Sequence, residues 1–269
     1  RRLGRGDDAM TPAFWDGKRV FLTGHTGFKG SWLCLVLHQL GAKVTGYALP
    51  PPTQPNLFSL ARIGELIDSI EGDVRDLDHL TEALRAAEPD VVMHLAAQSV
   101  VLHSYDDPVE TYSSNVMGTV HLFEALRRSG RRCTVVNVTT DKCYENRGWV
   151  WGYRETDRLG GRDPYSNSKS CAELVAQSFR ESFFPLDALE HHGVAIASAR
   201  AGNVIGGGDW TPRQLIPDAI EAFRGGRPVA LRHPAAVRPW QHVLDCLAGY
   251  LVLAQALVDG GPKFSGEWN

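Results

Sequence analysis

The chain has 269 residues, of which 43% are hydrophobic and 22% are charged, and its formal net charge is −3. This length suits one large α/β domain, with or without a small second one. The charge balance gives no reason to expect nucleic acid or an anionic membrane as a partner. No run approaches the roughly 18 apolar residues that a membrane helix needs. The five cysteines are scattered and form no CxxC pair, so the sequence suggests neither a zinc site nor a disulfide framework, and free thiols favour the cytoplasm.

Both ends of the chain differ from the rest. Residues 1–10 are polar and glycine-rich and lack the apolar core of a signal peptide. We therefore expect residues 1–11 to be a tail, either a tag remnant or an over-long gene start, with Met10 as the natural start. Residues 264–269 have no cap or closing helix, and we expect the natural protein to continue beyond them.

Apolar runs and helical patterns alternate along the chain. We predict strands at 19–23, 43–47, 66–71, 91–95, 134–139 and 193–200, and helices at 31–40, 77–87, 108–128 and 165–184. This alternation is typical of right-handed βαβ units, and hence of an α/β fold with a Rossmann-type, doubly wound parallel sheet.

The alternation stops after Ala201. Residues 206–209 indicate a loop, 214–224 a helix, 229–231 a short strand and 243–258 a helix rich in Leu and Ala. We expect residues 12–203 to form the main, Rossmann-type domain. Residues 204–269 then form a small C-terminal substrate lobe, incomplete at its end, with some segments returning to the main domain.

A glycine-rich turn, Thr23-Gly-His-Thr-Gly-Phe-Lys-Gly30, follows the first predicted strand and opens the first helix. Gly24 permits a tight turn, Gly27 lets the backbone approach a pyrophosphate, and Gly30 allows close packing of helix on strand. In this context the turn predicts a dinucleotide site, with an ordinary βα turn as the alternative. Lys29 either adds charge near a phosphate or is an exposed surface lysine.

The end of the second predicted strand lacks a feature that dinucleotide sites usually have. Residues 47–50, Tyr-Ala-Leu-Pro, stand where an acid usually binds the ribose hydroxyls. No arginine is there to hold a 2′-phosphate, so NADP is not favoured. Asp73 and Val74, after the third strand, lie where an adenine ring would bind. The alternative for Asp73 is that it caps the helix that follows.

Tyr165 and Lys169 are four residues apart on a predicted helix, which stacks their side chains on one face. An ammonium beside a phenol favours the phenolate, so we expect the pKa of Tyr165 to lie below its ordinary value of about 10. With the dinucleotide site, this pair predicts transfer of hydride and protons.

The fifth predicted strand runs into Thr139-Thr-Asp-Lys-Cys143, at the edge of the sheet that faces the crevice. Thr140 offers a hydroxyl beside Tyr165. A simple dehydrogenase needs only the hydroxyl, the tyrosine and the lysine. The additional Asp141 and Lys142 therefore indicate that a proton leaves one carbon while water leaves another. The alternative is that both merely cap a loop.

The ten histidines show no metal-ligand spacing, and we predict no metal site. In the expected lobe, Arg213 and Arg238 are candidates for binding the phosphates of a nucleotide substrate. Arg238 lies in the rigid segment Val237-Arg-Pro-Trp-Gln-His-Val243. The alternative for each arginine is an ordinary surface position.

The motifs together resemble the extended short-chain dehydrogenase/reductase family. They are Thr-Gly-x-x-Gly-x-x-Gly at 23–30, His94-Leu-Ala-Ala-Gln98, Tyr165-x-x-x-Lys169 and Ala199-Arg-Ala-Gly-Asn-Val204. Within this family the chain resembles the CDP-glucose 4,6-dehydratases over residues 12–269, through segments 25–33, 139–142, 206–210 and 237–243.

The resemblance implies a tightly held NAD and a redox-neutral conversion of CDP-D-glucose to CDP-4-keto-6-deoxy-D-glucose and water. It implies that Tyr165, assisted by Lys169 and Thr140, takes the proton of the sugar 4-hydroxyl. Asp141 would protonate the departing 6-hydroxyl. Lys142 would act at C5, either as a base with a lowered pKa or as a fixed positive charge.

The resemblance also implies binding residues. For NAD these are Gly24, Thr26, Gly27, Phe28, Gly30, Asp73, Val74, Leu95, Ala96, Ala97, Tyr165 and Lys169; for the CDP-sugar they are Asn203, Arg213 and Arg238. It further implies a homodimer through helices 108–128 and 165–184, and a role in deoxysugar biosynthesis for lipopolysaccharide O-antigen.

Two alternatives to this function stay open. One is another enzyme of the same fold, either a dehydratase for a different nucleotide sugar or a nucleotide-sugar 4-epimerase, which does not need Asp141 as an acid. The other is a non-catalytic NAD-binding sensor, a class whose members commonly lose the tyrosine or the lysine.

Overall fold

The computed structural model describes residues 11–231 and 233–269, so residues 1–10 of the expected tail lie outside the described part. Its strands are β1 (Arg19–Thr23), β2 (Lys43–Ala48), β3 (Asp68–Glu71), β4 (Val91–His94), β5 (Cys133–Val138), β6 (Val194–Ala199), β7 (Val204–Ile205), β8 (Gln241–His242) and β9 (Gly266–Trp268).

The helices alternate with these strands. They are α1 (Pro12–Trp15), α2 (Phe28–Gln39), α3 (Leu57–Leu60), α4 (Leu77–Ala87), α5 (Val101–Asp106), α6 (Pro108–Tyr112), α7 (Gly118–Ser129), α8 (Pro164–Ser182), α9 (Leu189–His192), α10 (Leu215–Arg224) and α11 (Val243–Gly260). Short 3₁₀ turns lie at Ile63–Glu65, Asp141–Cys143, Leu186–Ala188 and Gly261–Phe264.

Seven strands of the described chain form one parallel sheet in the order β3-β2-β1-β4-β5-β6-β9. The chain runs outward from β1 to β3 and then returns, so that β4 lies on the other side of β1. This reversal leaves a crevice outside the carboxyl ends of β1 and β4, where open α/β sheets bind their ligands. The predicted doubly wound α/β fold is confirmed.

The central strands are buried on both faces of the sheet. Val20 and Leu22 of β1 join the core layer formed with α2 and α11, whereas Phe21 joins the layer formed with α4, α7 and α8. Successive side chains of a strand point to opposite faces, so each strand contributes to both layers. Helices on both faces account for the continuous apolar runs in the sequence.

The helix predicted at 108–128 forms, but it is interrupted by a π-helical turn. This turn, Ser113–Met117, joins α6 to α7. Within it, the Asn115 side chain donates to the Gln98 carbonyl and to Ser168 Oγ, each at 2.9 Å. Single π turns of this kind often occur near functional sites. This one ties the segment after β4 to α8.

The segment after residue 203 divides between two places. β7 and β8 form a separate two-stranded ladder, whereas α11 packs on β5, β6 and α2, and β9 pairs with β6. The strand predicted at 229–231 is not formed in the described chain. β9 was not predicted, because a three-residue strand at the chain end is specified by its partner β6. The domain boundary at 203/204 stays a prediction.

One stretch of the described chain, Val243–Phe264, is long and apolar enough to cross a membrane, with a mean hydropathy of 1.5. The sequence analysis predicted a helix at 243–258 but no apolar run long enough for a membrane helix, so that part of the prediction is wrong. Leu247, Leu251 and Ala254 of this stretch are buried in the core layer beside the sheet. That burial is typical of a core helix.

Candidate active site

The glycine turn is closely packed between β1, β4 and α2. Gly24 has φ +79°, and a Cβ at this position would lie 2.7 Å from the Ala96 nitrogen. A Cβ on Gly30 would lie 2.1 Å from the Gly24 carbonyl oxygen. Gly27 precedes α2 without a side-chain cap, and the first turn of α2 has no acidic residue. Backbone N–H groups at such a helix start favour a pyrophosphate, so the turn fits a dinucleotide.

The segment after β4 lies directly against this turn. Leu95 N donates to the Thr23 carbonyl at 3.2 Å, and Ala96 N donates to Thr23 Oγ1 at 3.1 Å. Ala97 continues the same segment. The structure therefore brings Leu95, Ala96 and Ala97 to the glycine turn, at the point where the strand order reverses.

Other side chains of the turn hold it to its surroundings. Thr26 Oγ1 donates to the Leu49 carbonyl at 2.8 Å, which closes the turn onto the end of β2. Phe28 packs against the core layer of α2 and α11. Lys29 is half-buried, and its Nζ donates to the Tyr250 hydroxyl of α11 at 3.2 Å. Its alternative as an exposed surface lysine is therefore wrong.

Asp73 and Val74 lie farther along the carboxyl edge of the sheet. The Asp73 carboxylate accepts from Arg75 N and Arg75 Nε, each at 2.8 Å, and the Arg75 guanidinium lowers the pKa of that carboxyl. Asp73 and Arg75 line an open depression of about 630 Å³. Val74 is buried. Asp76 caps α4, so the capping alternative for Asp73 is wrong.

Tyr165 and Lys169 lie one turn apart on α8 and are 8% and 7% exposed. Burial raises the pKa of Tyr165 to about 12, and a hydrogen bond with Thr140 opposes that shift. Burial lowers the pKa of Lys169 to about 8, and its Nζ donates to the Val138 carbonyl at 3.2 Å. The expectation of a Tyr165 pKa below its ordinary value is wrong for this arrangement, because burial outweighs the opposing hydrogen bond.

Thr140, Asp141 and Lys142 form a short turn beside Tyr165. Thr140 caps the turn by accepting from Lys142 N at 3.3 Å, so neither Asp141 nor Lys142 is the capping residue. Lys142 Nζ lies 5.9 Å from the centre of the Tyr165 ring. Burial lowers the pKa of Lys142, with opposition from the Asp141 carboxylate and support from the charge of Arg238. Two further titratable side chains therefore stand next to the tyrosine.

Two other residues with reactive side chains are structural. Cys143 is buried, and burial raises the pKa of its thiol to about 12, which is typical of a packing residue and not of a nucleophile. His94 lies between Thr23 Oγ1 at 2.7 Å and Thr119 Oγ1 at 3.3 Å. Burial lowers its pKa to about 3, so its ring is neutral.

The predicted substrate residues are in two places. Asn203 accepts from Gln241 N at 3.0 Å through its carbonyl, while its buried Oδ1 has no partner in the described chain. Arg238 is near enough to Lys142 to affect its pKa. Arg213 instead directs Nη1 to Asp106 Oδ2, at 2.5 Å. The structure thus brings Asn203 and Arg238 towards the turn 140–142 and Arg213 to the end of α5.

Sequence analysis missed a buried ion pair between Glu173 and Arg200. Arg200 Nη2 lies 3.0 Å from Glu173 Oε2, and the two side chains are 2% and 1% exposed. The spacing on α8 could have indicated Glu173. Tyr165, Lys169 and Glu173 follow one another at intervals of four residues and so share one face of the helix. Within the described residues, no group of three or more His, Cys, Asp or Glu side chains is arranged to hold a metal ion.

Comparison with known proteins agrees with this geometry. The model of the NAD dependent epimerase/dehydratase family matches residues 20–265. Over 256 residues the chain is 57% identical to a CDP-glucose 4,6-dehydratase from Salmonella typhimurium, an alignment that covers 95% of this chain and 71% of that protein.

Solved structures show the same fold. The dTDP-glucose 4,6-dehydratase DesIV from Streptomyces venezuelae, with NAD bound, is 27% identical with a TM-score of 0.77, over 93% of this chain and 74% of that one. A UDP-N-acetylglucosamine 4-epimerase from Methanobrevibacter ruminantium is 25% identical with a TM-score of 0.75, over 94% and 76% of the two chains. The chain therefore belongs to the NAD dependent epimerase/dehydratase family.

Proposed function

We propose that this protein is an NAD-dependent lyase that converts CDP-D-glucose into CDP-4-keto-6-deoxy-D-glucose and water. The observation that carries the proposal is the position of Asp141 and Lys142 beside Tyr165, with Lys142 Nζ 5.9 Å from the tyrosine ring. Oxidation at C4 needs Thr140 and Tyr165 with Lys169. Removal of water needs a further acid and a further group at C5, and these two residues supply them.

NAD, when bound, would supply the hydride acceptor for C4 and, once reduced, the hydride donor for C6. The glycine turn supports NAD as the cofactor, because Gly24 and Gly30 let the turn pack closely on the segment after β4 and on α2, whose start has no side-chain cap and so offers its backbone N–H groups to a pyrophosphate. The residues that would hold the cofactor are Gly24, Thr26, Gly27, Phe28, Gly30, Asp73, Val74, Leu95, Ala96, Ala97, Tyr165 and Lys169.

Tyr165 takes the proton of the sugar 4-hydroxyl. Its hydrogen bond with Thr140 favours the phenolate and so works in the direction that catalysis needs. Lys169, whose pKa is about 8, keeps most of its positive charge at neutral pH. Its ammonium donates to the Val138 carbonyl and is thereby held on the same helix face as the phenol.

Asp141 gives a proton to the departing 6-hydroxyl while Lys142 removes the proton at C5. The burial that lowers the pKa of Lys142 favours the base over a purely electrostatic role, because it increases the fraction of neutral amine at neutral pH. In the lobe, the unpartnered Oδ1 of Asn203 and the guanidinium of Arg238 are proposed to contact the nucleotide sugar. Arg213 would join them by leaving Asp106.

The choice of CDP rests on the relative that shares 57% of the residues and is named a CDP-glucose 4,6-dehydratase. We further propose a cytoplasmic homodimer that serves deoxysugar biosynthesis for lipopolysaccharide O-antigen. Apolar side chains on the two helices of the proposed interface support the dimer: Val109, Leu174 and Phe183 are 77%, 53% and 48% exposed. The five free cysteines agree with a reducing compartment.

The test is to incubate the purified protein with NAD and, separately, CDP-glucose, CDP-galactose and dTDP-glucose, and to measure product mass. Loss of one water from CDP-glucose alone supports the proposal. Loss of water from dTDP-glucose alone would assign another nucleotide sugar. Conversion of CDP-glucose to its galactose isomer without a change of mass would make the protein a 4-epimerase, the activity named for one structural neighbour. Retained NAD with no turnover would make it a sensor.

A further inference from the structure

The buried pair Glu173–Arg200 lies directly behind the proposed catalytic residues. Tyr165, Lys169 and Glu173 follow one another at four-residue intervals along α8, so they share one face of that helix. The first two side chains reach the crevice. The third instead points at the end of β6, where Arg200 binds it through Nε at 3.1 Å and Nη2 at 3.0 Å.

The pair is connected to the catalytic turn at both of its ends. Thr139, which immediately precedes Thr140, donates its hydroxyl to Glu173 Oε1. On the other side, Arg200 Nη1 donates to the Tyr144 hydroxyl at 2.7 Å and to the Glu155 carbonyl at 3.0 Å. The catalytic residues 140–142 thus lie between two residues, 139 and 144, that are both held by this one ion pair.

Backbone hydrogen bonds also join the turn 139–144 to the residues around Arg200 at the end of β6. Thr139 N donates to the Ala199 carbonyl at 2.9 Å, and Asp141 N donates to the Ala201 carbonyl at 3.1 Å. Arg200 N lies between these two acceptors and donates to the Trp268 carbonyl of β9 at 2.8 Å. Through side chains and backbone together, Glu173 and Arg200 therefore join α8, the turn 139–144, the end of β6 and β9 at a single point.

We propose that Glu173 and Arg200 are positioning residues that hold α8 and the turn 139–144 in register. Through this pair, Tyr165 and Lys169 on the helix are kept at the correct distance from Asp141 and Lys142 on the turn. The two side chains are 2% and 1% exposed, so they offer almost no surface to a substrate or a cofactor. The effect of the pair is on geometry, and catalysis is sensitive to displacements of about 1 Å, which can lower rates by roughly 10²-fold.

A second ion pair on the same helix serves as a matched control. Arg180 Nη2 lies 2.5 Å from Glu267 Oε1, and it likewise joins α8 to β9. Within the described residues, no hydrogen bond or ion pair joins Arg180 or Glu267 to the turn 139–144. Glu173→Gln and Glu267→Gln therefore each remove one charge from a pair between α8 and the sheet. Only the first removes a contact with the catalytic turn.

The experiment compares these variants in the intact protein. We expect Glu173→Gln to lower kcat by about 100-fold while KM for CDP-glucose changes less than about 3-fold. NADH formation and water loss should slow together, and Glu173→Asp, which keeps the charge, should recover part of the rate. Glu267→Gln should keep kcat within about 3-fold of the unaltered protein, even if its thermal midpoint falls as far as that of Glu173→Gln. Equal losses of kcat in the two Gln variants at equal thermal destabilisation would overturn the proposal.

Tyr144→Phe tests the proposal with the ion pair and the fold retained. It removes the hydroxyl that accepts from Arg200 Nη1 at 2.7 Å and donates to Asn269 Oδ1 at 2.7 Å, two residues after Lys142. We expect water loss to slow about 5- to 10-fold, with NADH formation nearly unchanged. Equal slowing of both steps, or of neither, would contradict the assignment of this contact to the turn.

These activity measurements rest on the proposed function, so a second measurement is independent of it. Hydrogen exchange of the Thr139, Asp141 and Cys143 amides, each bonded within or beside the turn, should accelerate about 10-fold in Glu173→Gln and stay unchanged in Glu267→Gln. If the unaltered protein removes water from no nucleotide sugar, the proposed function fails while this comparison still decides the positioning role. Unchanged exchange in Glu173→Gln would overturn that role.

Discussion

The phenol of Tyr165 keeps its proton in this structure, because burial raises its pKa to about 12. Its hydrogen bond with Thr140 acts in the opposite direction, and the nearby carboxylates of Asp141 and Asp163 act in the same direction as burial. A buried tyrosine therefore becomes a useful base only when its environment gains positive charge. Lys169, one turn along the same helix, is the residue that we propose to supply it.

Tyr165→Phe removes the proposed base and leaves the ring in place. We expect NADH formation on addition of CDP-glucose to slow by about 10³-fold, which is within the range for loss of a general base. The rise of NADH absorbance after mixing measures this. Tyr105→Phe, at a side chain that is 63% exposed, is the control for removing a phenol hydroxyl. Near-normal NADH formation in Tyr165→Phe would remove this tyrosine from the mechanism.

Asp141→Asn separates oxidation from elimination. The amide cannot protonate the departing hydroxyl, so water loss should slow by about 10²-fold or more while NADH still forms transiently. Product mass and NADH absorbance, followed in the same reaction, give the two rates. Unchanged formation of the dehydrated product would show that Asp141 is not the acid.

The burial of Lys169 lowers the free energy of unfolding by an amount that depends on pH. Its pKa falls from 10.5 in the unfolded chain to about 8 in the folded protein. Below pH 8 the lysine is charged in both states, and burying its charge costs about 3 kcal/mol. That cost shrinks as pH rises from 8 to 10.5, since the unfolded chain alone then carries the charge.

Lys169→Met should therefore be more stable than the unaltered protein at pH 7, by about 2 kcal/mol once the lost hydrogen bond to Val138 is included. The difference should narrow as pH rises above 8. Urea unfolding at pH 7 and pH 9.5 measures the two differences. A difference that is the same at both values would show that the buried charge is not its source.

At the scale of the element, the glycine turn and α2 depend on one close approach. A Cβ on Gly30 would overlap the Gly24 carbonyl oxygen at 2.1 Å, so α2 can lie on the turn only without a side chain there. Gly249, in the exposed part of α11, has nothing within 4 Å of its Cβ position. The two helical glycines therefore have opposite consequences when replaced.

Gly30→Ala should lower the free energy of unfolding by several kcal/mol and abolish NAD binding, because the helix must move away from the turn. Gly249→Ala should raise the free energy of unfolding by about 0.5–1 kcal/mol, since alanine restricts the unfolded chain and favours the helix. Urea unfolding and NAD titration measure both effects. A stable, NAD-binding Gly30→Ala protein would contradict the packing described here.

At the scale of the whole molecule, two buried histidines make the fold sensitive to acid. Burial lowers the pKa of His25 to about 4 and that of His94 to about 3, whereas both are 6.5 in the unfolded chain. Unfolding near pH 5 therefore takes up close to two protons. Their contribution to stability is complete above pH 6.5 and is lost as pH falls towards 3.

Because of these two side chains, we expect the free energy of unfolding to fall by about 2.5 kcal/mol for each unit by which the pH is lowered near pH 5. His94→Asn should reduce that slope by about half, with the exposed His191→Asn as the matched control. Urea unfolding at pH 6, 5.5 and 5 measures the slopes. The same slope in His94→Asn and in the unaltered protein would show that this ring is not protonated on unfolding.

Patterns that span a few residues were predicted well. Apolar runs and helical spacing predicted β1, β2, α4, α8 and the start of α11. The side chains within each of these elements determine whether it is a strand or a helix. The glycine turn and the spacing of Tyr165 and Lys169 are equally local. The order of the sheet follows from the alternation of strands and helices, since βαβ units have one hand.

Features that join distant parts of the chain appeared only in the tertiary structure. β9 forms because it pairs in parallel with β6. Arg213 forms an ion pair with Asp106, which lies 107 positions earlier in the chain. The pKa of Tyr165 is set by how deeply the packed molecule buries it, and Glu173 finds Arg200 only when α8 docks on the sheet. The spacing of residues along the sequence determines the helices, the strands and the residues of the turns. Burial, long-range ion pairs and terminal strands depend on which elements meet, and packing alone decides that.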